Sequence, residues 1–316
     1  MKKFISLFLS MIMLFSVVSF ADVTSSEETE LPLLKLEYPL VIDNTTIDKK
    51  PQTVGTISPA VTDIIKGLGF ENRITAVGNG SVKPIFADPR DAYTIYEIGS
   101  LYEPNLENLK KSAPDILFTH APFTETNKKR IESMGIKIVE IPYAENFDDV
   151  FENYRLICKV MLGEYTGNIY ADKKISRYKE ILKMVSDISL KNSEEKSAIY
   201  IDMYPKTLAT GETFQNIILK EILAFENPAE ESTNWTLTDE GMKELNPDKI
   251  FYNCNINPEE IKSYISYSTT NAITEDQLYV LKGKYFQSKS PQMFMNLVSL
   301  MYELYPNEMP KDLSEI

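Results

Sequence analysis

The chain has 316 residues, with 33 Lys+Arg against 46 Asp+Glu, one His and two Cys, and a formal net charge of −13. The acidic balance argues against a nucleic-acid-binding surface, which needs clustered Lys and Arg. One His excludes sites built from several His ligands, including most catalytic zinc sites, and Cys158 and Cys254 are too few for zinc ribbons or cysteine-ligated clusters. With 43% hydrophobic residues, the composition is that of a folded chain of one large or two medium domains.

Residues 1–21 read as a secretory signal peptide. Lys2 and Lys3 precede an apolar run from Phe4 to Val18, and Ser19-Phe20-Ala21 places small residues two apart at a cleavage site. The run is short for a membrane span and no stop-transfer charges follow it. Removing Lys2 and Lys3 with the leader takes the net charge from −13 to −15. No Cys follows the apolar run to carry a lipid, so a soluble periplasmic protein is expected. Cys158 falls in an apolar helical stripe and Cys254 after a predicted strand; both are expected as separate small buried side chains.

Residues 22–51 are polar and proline-containing, and are expected as a mobile leader with at most one strand at 33–42. The predicted elements then alternate. Thr53–Ile57 is a strand, followed by Ser58-Pro59 as a helix start and a helix to Leu68 that Gly69 stops. Arg73–Val77 is a strand, 79–98 a loop, Asn105–Ser112 a short helix, Asp115–Thr119 a strand, Glu125–Met134 a helix and Ile136–Ile141 a strand. This alternation predicts an α/β lobe over 52–146 with a mostly parallel sheet. Residues 147–190 are helical without a strand, with Phe147, Val150, Phe151, Tyr154, Ile157, Cys158 and Met161 on one face. This helical linker leads to a second α/β lobe over 196–316. Its strands are expected at Ala198–Asp202, Lys249–Asn253 and Gln277–Leu281. Its helices are expected at Phe214–Phe225, Thr238–Leu245, Pro258–Ser266 and Gln292–Leu304.

The two lobes share a spaced pattern. Glu107-Asn-Leu-Lys-Lys-Ser-Ala-Pro-Asp115 and Glu240-Gly-Met-Lys-Glu-Leu-Asn-Pro-Asp248 each run a short helix into a Pro-Asp turn before a strand. Each Glu lies two positions after a candidate N-cap, Asn105 or Thr238, where the helix dipole favours a carboxylate by about 0.3–1 kcal/mol. That accounts for each Glu singly but not for the repetition.

With Thr56-Ile-Ser-Pro-Ala-Val-Thr-Asp-Ile-Ile-Lys-Gly-Leu-Gly69, Arg73–Gly78, Ile98–Leu101, Pro104–Glu107, Leu208–Gly211 and Trp235–Glu240, the pattern resembles class III periplasmic substrate-binding proteins. These serve iron–siderophore, haem and cobalamin ABC importers. The resemblance spans about residues 50–306. It implies two α/β lobes joined by a long rigid linker helix, with the ligand in the cleft between them and little hinge motion. It also implies an exposed Glu on each lobe, matching Glu107 and Glu240, that docks on basic residues of a permease dimer served by ATPase subunits. The protein is expected as a monomer with no intrinsic cofactor, its ligand a ferric siderophore, haem or cobalamin.

The cleft residues follow from a general rule: ligands sit beyond the carboxyl ends of strands in open α/β sheets. That selects His120, Tyr143, Met203 and Tyr204, with Arg90 in the 79–98 loop and Tyr285 before the last helix. His120 is a candidate metal ligand or a strand-end hydrogen-bonding residue. Tyr204 is a candidate phenolate metal ligand or an amphipathic lip residue. Met203 suits packing better than ligation. Arg90 is a candidate partner for acidic ligand oxygens. Trp235 suits either stacking on a planar ligand or packing between lobes. Few cations fall near the cleft beyond Arg90 and Lys206, which weakens the case for an anionic siderophore. The alternative is a binder of free zinc or manganese ions with the same lobe plan, against which the single His counts. No Gly-x-Ser-x-Gly, Gly-x-x-x-x-Gly-Lys, Gly-x-Gly-x-x-Gly or His-Glu-x-x-His motif occurs, so an enzyme is not expected.

Overall fold

A computed structural model describes residues 36–79, 81, 94–192, 196–202, 207–232, 236, 238–253, 255–281 and 289–310. The signal segment 1–21 and the positions Arg90, Met203, Tyr204, Trp235, Cys254 and Tyr285 lie outside the described residues.

Residues 36–50, expected as mobile leader, are instead built into the fold. Leu40–Ile42 (β1) and Thr45–Ile47 (β2) pair antiparallel across Asp43-Asn44, with Asp43 at φ 50°. Asp and Asn tolerate the left-handed conformation that such a two-residue turn needs. Leu40 and Ile47 are buried, and the Thr45 hydroxyl donates to the Ile138 carbonyl (3.0 Å). Three-residue strands leave too little period to be read from sequence.

The first parallel sheet follows. Val54–Thr56 (β3) is buried throughout. Extended Ser58 and Pro59 at the first helical position start α1 (Pro59–Gly67), which buries Val61, Ile64 and Ile65 on one face. Then come Ile74–Val77 (β4), Tyr96–Glu97 (β5), Leu106–Ser112 (α2), Ile116–Thr119 (β6), Glu125–Glu132 (α3) and Lys137–Glu140 (β7). The order is β5-β4-β3-β6-β7 and every pairing is parallel. The chain steps one way from β3 to β4 and later returns to β3's other side with β6. The crevice between β3 and β6 is therefore the switch point at which such sheets bind ligands.

The helical segment is two helices. Phe147–Leu162 (α4) starts at a reciprocal cap between Asn146 and Asp149, and Gly163 at φ 102° separates it from Glu164–Lys191 (α5). At 28 residues α5 is about 42 Å long. It packs on α4 at one end and meets the second lobe at the other, where Lys191 pairs with Glu308 (2.6 Å). The helices approach closely at Gly167, where a Cβ would stand 2.6 Å from the Lys159 Cα. The N-terminal clasp secures this junction. Tyr38 donates its hydroxyl to the Val160 carbonyl (2.9 Å), while Glu37 accepts from the Tyr165 (2.9 Å) and Thr166 (3.1 Å) amides and from the Thr166 hydroxyl. Glu37 thereby caps α5, whose own N-cap is a glycine. The Thr166 hydroxyl bond holds its carboxyl below the usual range, and burial pushes the Tyr38 phenol up to about 12.

The second lobe holds Ala198–Ile201 (β8), Phe214–Ile217 (α6), Asp239–Leu245 (α7), Lys249–Asn253 (β9), Pro258–Ser263 (α8), Asn271–Thr274 (α9), Leu278–Leu281 (β10) and Gln292–Leu304 (α10). Its described strands run parallel in the order β10-β9-β8. The single helix expected over Phe214–Phe225 is broken. Four α-helical residues continue as a π-helical turn, Ile218–Ile222, and Ala224 at φ 53° ends it.

The repeated motif has the same construction in both lobes. Asn105 and Thr238 accept from the Asn108 and Gly241 amides as N-caps, and the helices end at left-handed Ala113 (φ 39°) and Asn246 (φ 35°). Each Asp then pins the strand beside it. Asp115 accepts from the Gln52 (2.7 Å) and Thr53 (3.0 Å) amides at the start of β3, and Asp248 from the Ser197 amide (2.9 Å) and hydroxyl (3.1 Å) at the start of β8. Although burial opposes the Asp248 charge, bonds from Asn271 and Ser197 outweigh it and lower its pKa.

One hydrophobic cluster runs from α1, β3 and β6 through α4 and α5 to α6 and α10, so the lobes share a core across the linker. Phe294 of α10 is its keystone. It is fully buried and stacks on Tyr178 of α5 (4.6 Å) and Phe151 of α4 (5.8 Å), beside Phe147 (6.3 Å). Cys158 sits in the same core as a free thiol, which burial pushes up to about 12.

Candidate functional site: a cleft at the strand ends

Two cavities open between the lobes. The first, about 420 Å³, is walled by the start of α1 (Ser58–Val61, Ile64), by His120 after β6 and by Ile141–Ala144 after β7. Val150, Asn153 and Ile157 of α4 form its side, and Asn255 and Lys289 reach it from the second lobe. The second, about 570 Å³, lies among Tyr143 and Glu145 of the first lobe and Tyr200, Asp202, Leu208, Ala209 and Glu212–Gln215 of the second. Both volumes are in the range of small-molecule sites, about 300–1,000 Å³. The lining follows the strand-end rule: residues just past β3, β6, β7, β8 and β9 all contribute.

His120 and Tyr143 are therefore brought together at the first cavity, and both are exposed to it. Tyr143 is 73% exposed and lines both cavities. Glu107 and Glu240 are exposed in the first turns of α2 and α7, away from the cavity linings. Glu107 pairs with Lys111 (2.6 Å), which holds its carboxyl below the usual range.

Several lining residues were not foreseen. Ser58 and Asp202 satisfy the strand-end rule and were legible by it. Phe214 and Lys289 were not, since neither follows a strand directly. Lys289 joins the two cavities. Its ammonium donates to the Ala144 carbonyl, stands over the Tyr143 ring (3.6 Å) and lies 5.0 Å from the Phe214 ring. Beside it, Ser290 is fully buried and faces Asp63 of α1, whose carboxyl burial pushes above the usual range. Among the described residues, no three His, Cys, Asp or Glu side chains converge to hold a metal ion.

Two parallel-sheet lobes, a helical linker and a cleft lined from both lobes give the plan of a solute-binding protein. The periplasmic binding protein family model matches residues 54–285, and the chain belongs to that family. The chain is similar to an uncharacterised ABC transporter substrate-binding lipoprotein, YvrC, of Bacillus subtilis, 24% identical over 300 residues and 90% of each chain. It shares its fold with the periplasmic haem-binding protein HutB of Vibrio cholerae (TM-score 0.68, 17% identity, 81% of this chain and 99% of that one). The Vibrio cholerae catecholate-siderophore binding protein VctP also matches (TM-score 0.63, 16% identity, 82% and 96%).

Proposed function

We propose that this protein is the extracytoplasmic capture component of an ABC importer, taking a bulky metal chelate between its lobes and handing it to a permease dimer and its ATPases. The observation that carries this reading is the pair of cavities at the strand ends, lined from both lobes and joined at Tyr143 and Lys289. Such a space suits a planar or globular organic ligand. The substrate-binding lipoprotein and the haem and siderophore binders it resembles support the same class. Residues 1–21 serve export, and Glu107 and Glu240 are the docking knobs.

The lining narrows the ligand. The described wall of the second cavity carries Glu145, Asp202 and Glu212 against the single ammonium of Lys289. A compact polyanion would be repelled there, because like charges brought together in a desolvated site cost several kcal/mol. Haem, a corrinoid or a neutral siderophore fits better than a ferric tris-catecholate. His120 and Tyr143 are ligand contacts in this scheme, with Arg90, Met203, Tyr204, Trp235 and Tyr285 completing the set. His120 and Tyr204 are the candidate metal ligands.

Calorimetric titration of the mature protein with haemin, cobalamin, a ferric trihydroxamate and a ferric tris-catecholate tests this. One of the first three is expected to bind one-to-one with a Kd below about 1 µM (about 8 kcal/mol). Tightest binding by the tris-catecholate would overturn the charge argument. Binding of zinc or manganese ions alone, with no chelate bound, would replace the reading by the free-ion one.

A further inference from the structure

Lys289 is placed unlike any other cation described in the cleft. It stands at φ 51°, a left-handed conformation that a non-glycine residue keeps only where its surroundings impose it. It belongs to the second lobe, yet its ammonium reaches first-lobe groups, the Ala144 carbonyl and the Tyr143 ring, beside the Phe214 ring of its own lobe. Among the described residues, no carboxylate lies within ion-pair distance of it. A half-buried ammonium held by one neutral carbonyl and aromatic faces leaves donor capacity for a stronger partner. A carboxylate or phenolate is such a partner, since charge-assisted bonds are roughly twice as strong as neutral ones. Lys289 and Tyr143 also line both cavities, so this contact stands at their border.

We propose that Lys289 is a cationic strut across the cleft: it ties the lobes through Ala144 and Tyr143 until an acidic group of a ligand takes its ammonium over. Lys289 then selects ligands that carry one acidic group on the flank facing the first lobe. The second part rests on the capture reading; the first does not.

Two measurements separate them. Spin labels at Lys110→Cys and Lys243→Cys, both exposed and one on each lobe, report the interlobe distance in ligand-free protein carrying Cys254→Ser. Relative to otherwise wild-type protein, Lys289→Gln is expected to give a longer and broader distribution, as is Tyr143→Ala. The shift should exceed the roughly 1 Å by which preorganised backbones ordinarily move. Unchanged distributions in both variants would overturn the strut, whatever the ligand. Haemin and haemin dimethyl ester, which differ only in free carboxylates, then test the handover. Lys289→Gln is expected to weaken haemin about tenfold, one charge-assisted bond's worth, and to leave the ester within twofold. Equal effects on both probes would overturn the handover. If wild-type protein binds neither, haem is removed as the ligand and acid selection of haem falls with it, while the distance result still decides the strut.

Discussion

Replacing Glu107 and Glu240 together by alanine is expected to abolish uptake while leaving ligand affinity within twofold of wild type. Both carboxylates occupy the same position in a repeated unit: first turn of a seven-residue helix, side-chain N-cap before it, left-handed cap and Pro-Asp turn after it. Helix stability needs neither, since the dipole term is only about 0.3–1 kcal/mol and Lys111 partly occupies Glu107. If they dock on a permease dimer as proposed, these equivalent anionic knobs would meet two copies of one basic socket. Desolvated charge pairs at interfaces lose about 2–5 kcal/mol when one partner is truncated, so each single variant should weaken docking at least thirtyfold. The readout is uptake of labelled chelate by cells, with calorimetry on the purified variants. Wild-type uptake by the double variant would show that docking lies elsewhere.

Phe294→Ala is expected to cost about 3–5 kcal/mol in chemical denaturation, the loss typical of truncating a buried phenylalanine. Its ring touches α4 and α5 from the second lobe, so the cavity would open where the two lobes meet. Phe294→Leu keeps most of the volume and should cost about 1.5 kcal/mol or less. If alanine cost under 1 kcal/mol, the shared core would not be what joins the lobes. On this packing, opening the cleft widely is expected to pull Phe294 from its slot against α4 and α5.

Strongly periodic elements were legible. The last helix runs over Gln292–Leu304 as its apolar spacing requires, and α1 starts at Ser58 with Pro59 at its first helical position, although Ser58 makes no side-chain cap bond. The repeated motif was visible in the letters, but its reason was not. Only the structure shows Asp115 and Asp248 reaching back to Thr53 and Ser197, over sixty and fifty residues away, to fix strand starts. Of the hairpin at 40–47, the strand allowed at 33–42 covers β1, whereas three-residue β2 and the hold on α5 through Glu37, a tertiary contact, carry no local signal. The break after Ile217 is a similar case, since the apolar spacing of 214–225 suits a continuous helix. At the site, the strand-end rule found His120 and Tyr143 because backbone topology alone sets where strands stop. Lys289 escaped it because its place depends on how one lobe leans on the other.

The measurement that tests the capture of a metal chelate most directly is the absorption spectrum and metal content of the protein purified from its own host. A near-stoichiometric iron or cobalt chelate, with the visible bands of a haem, corrinoid or ferric complex, is the predicted result. A colourless protein carrying stoichiometric zinc or manganese would contradict it.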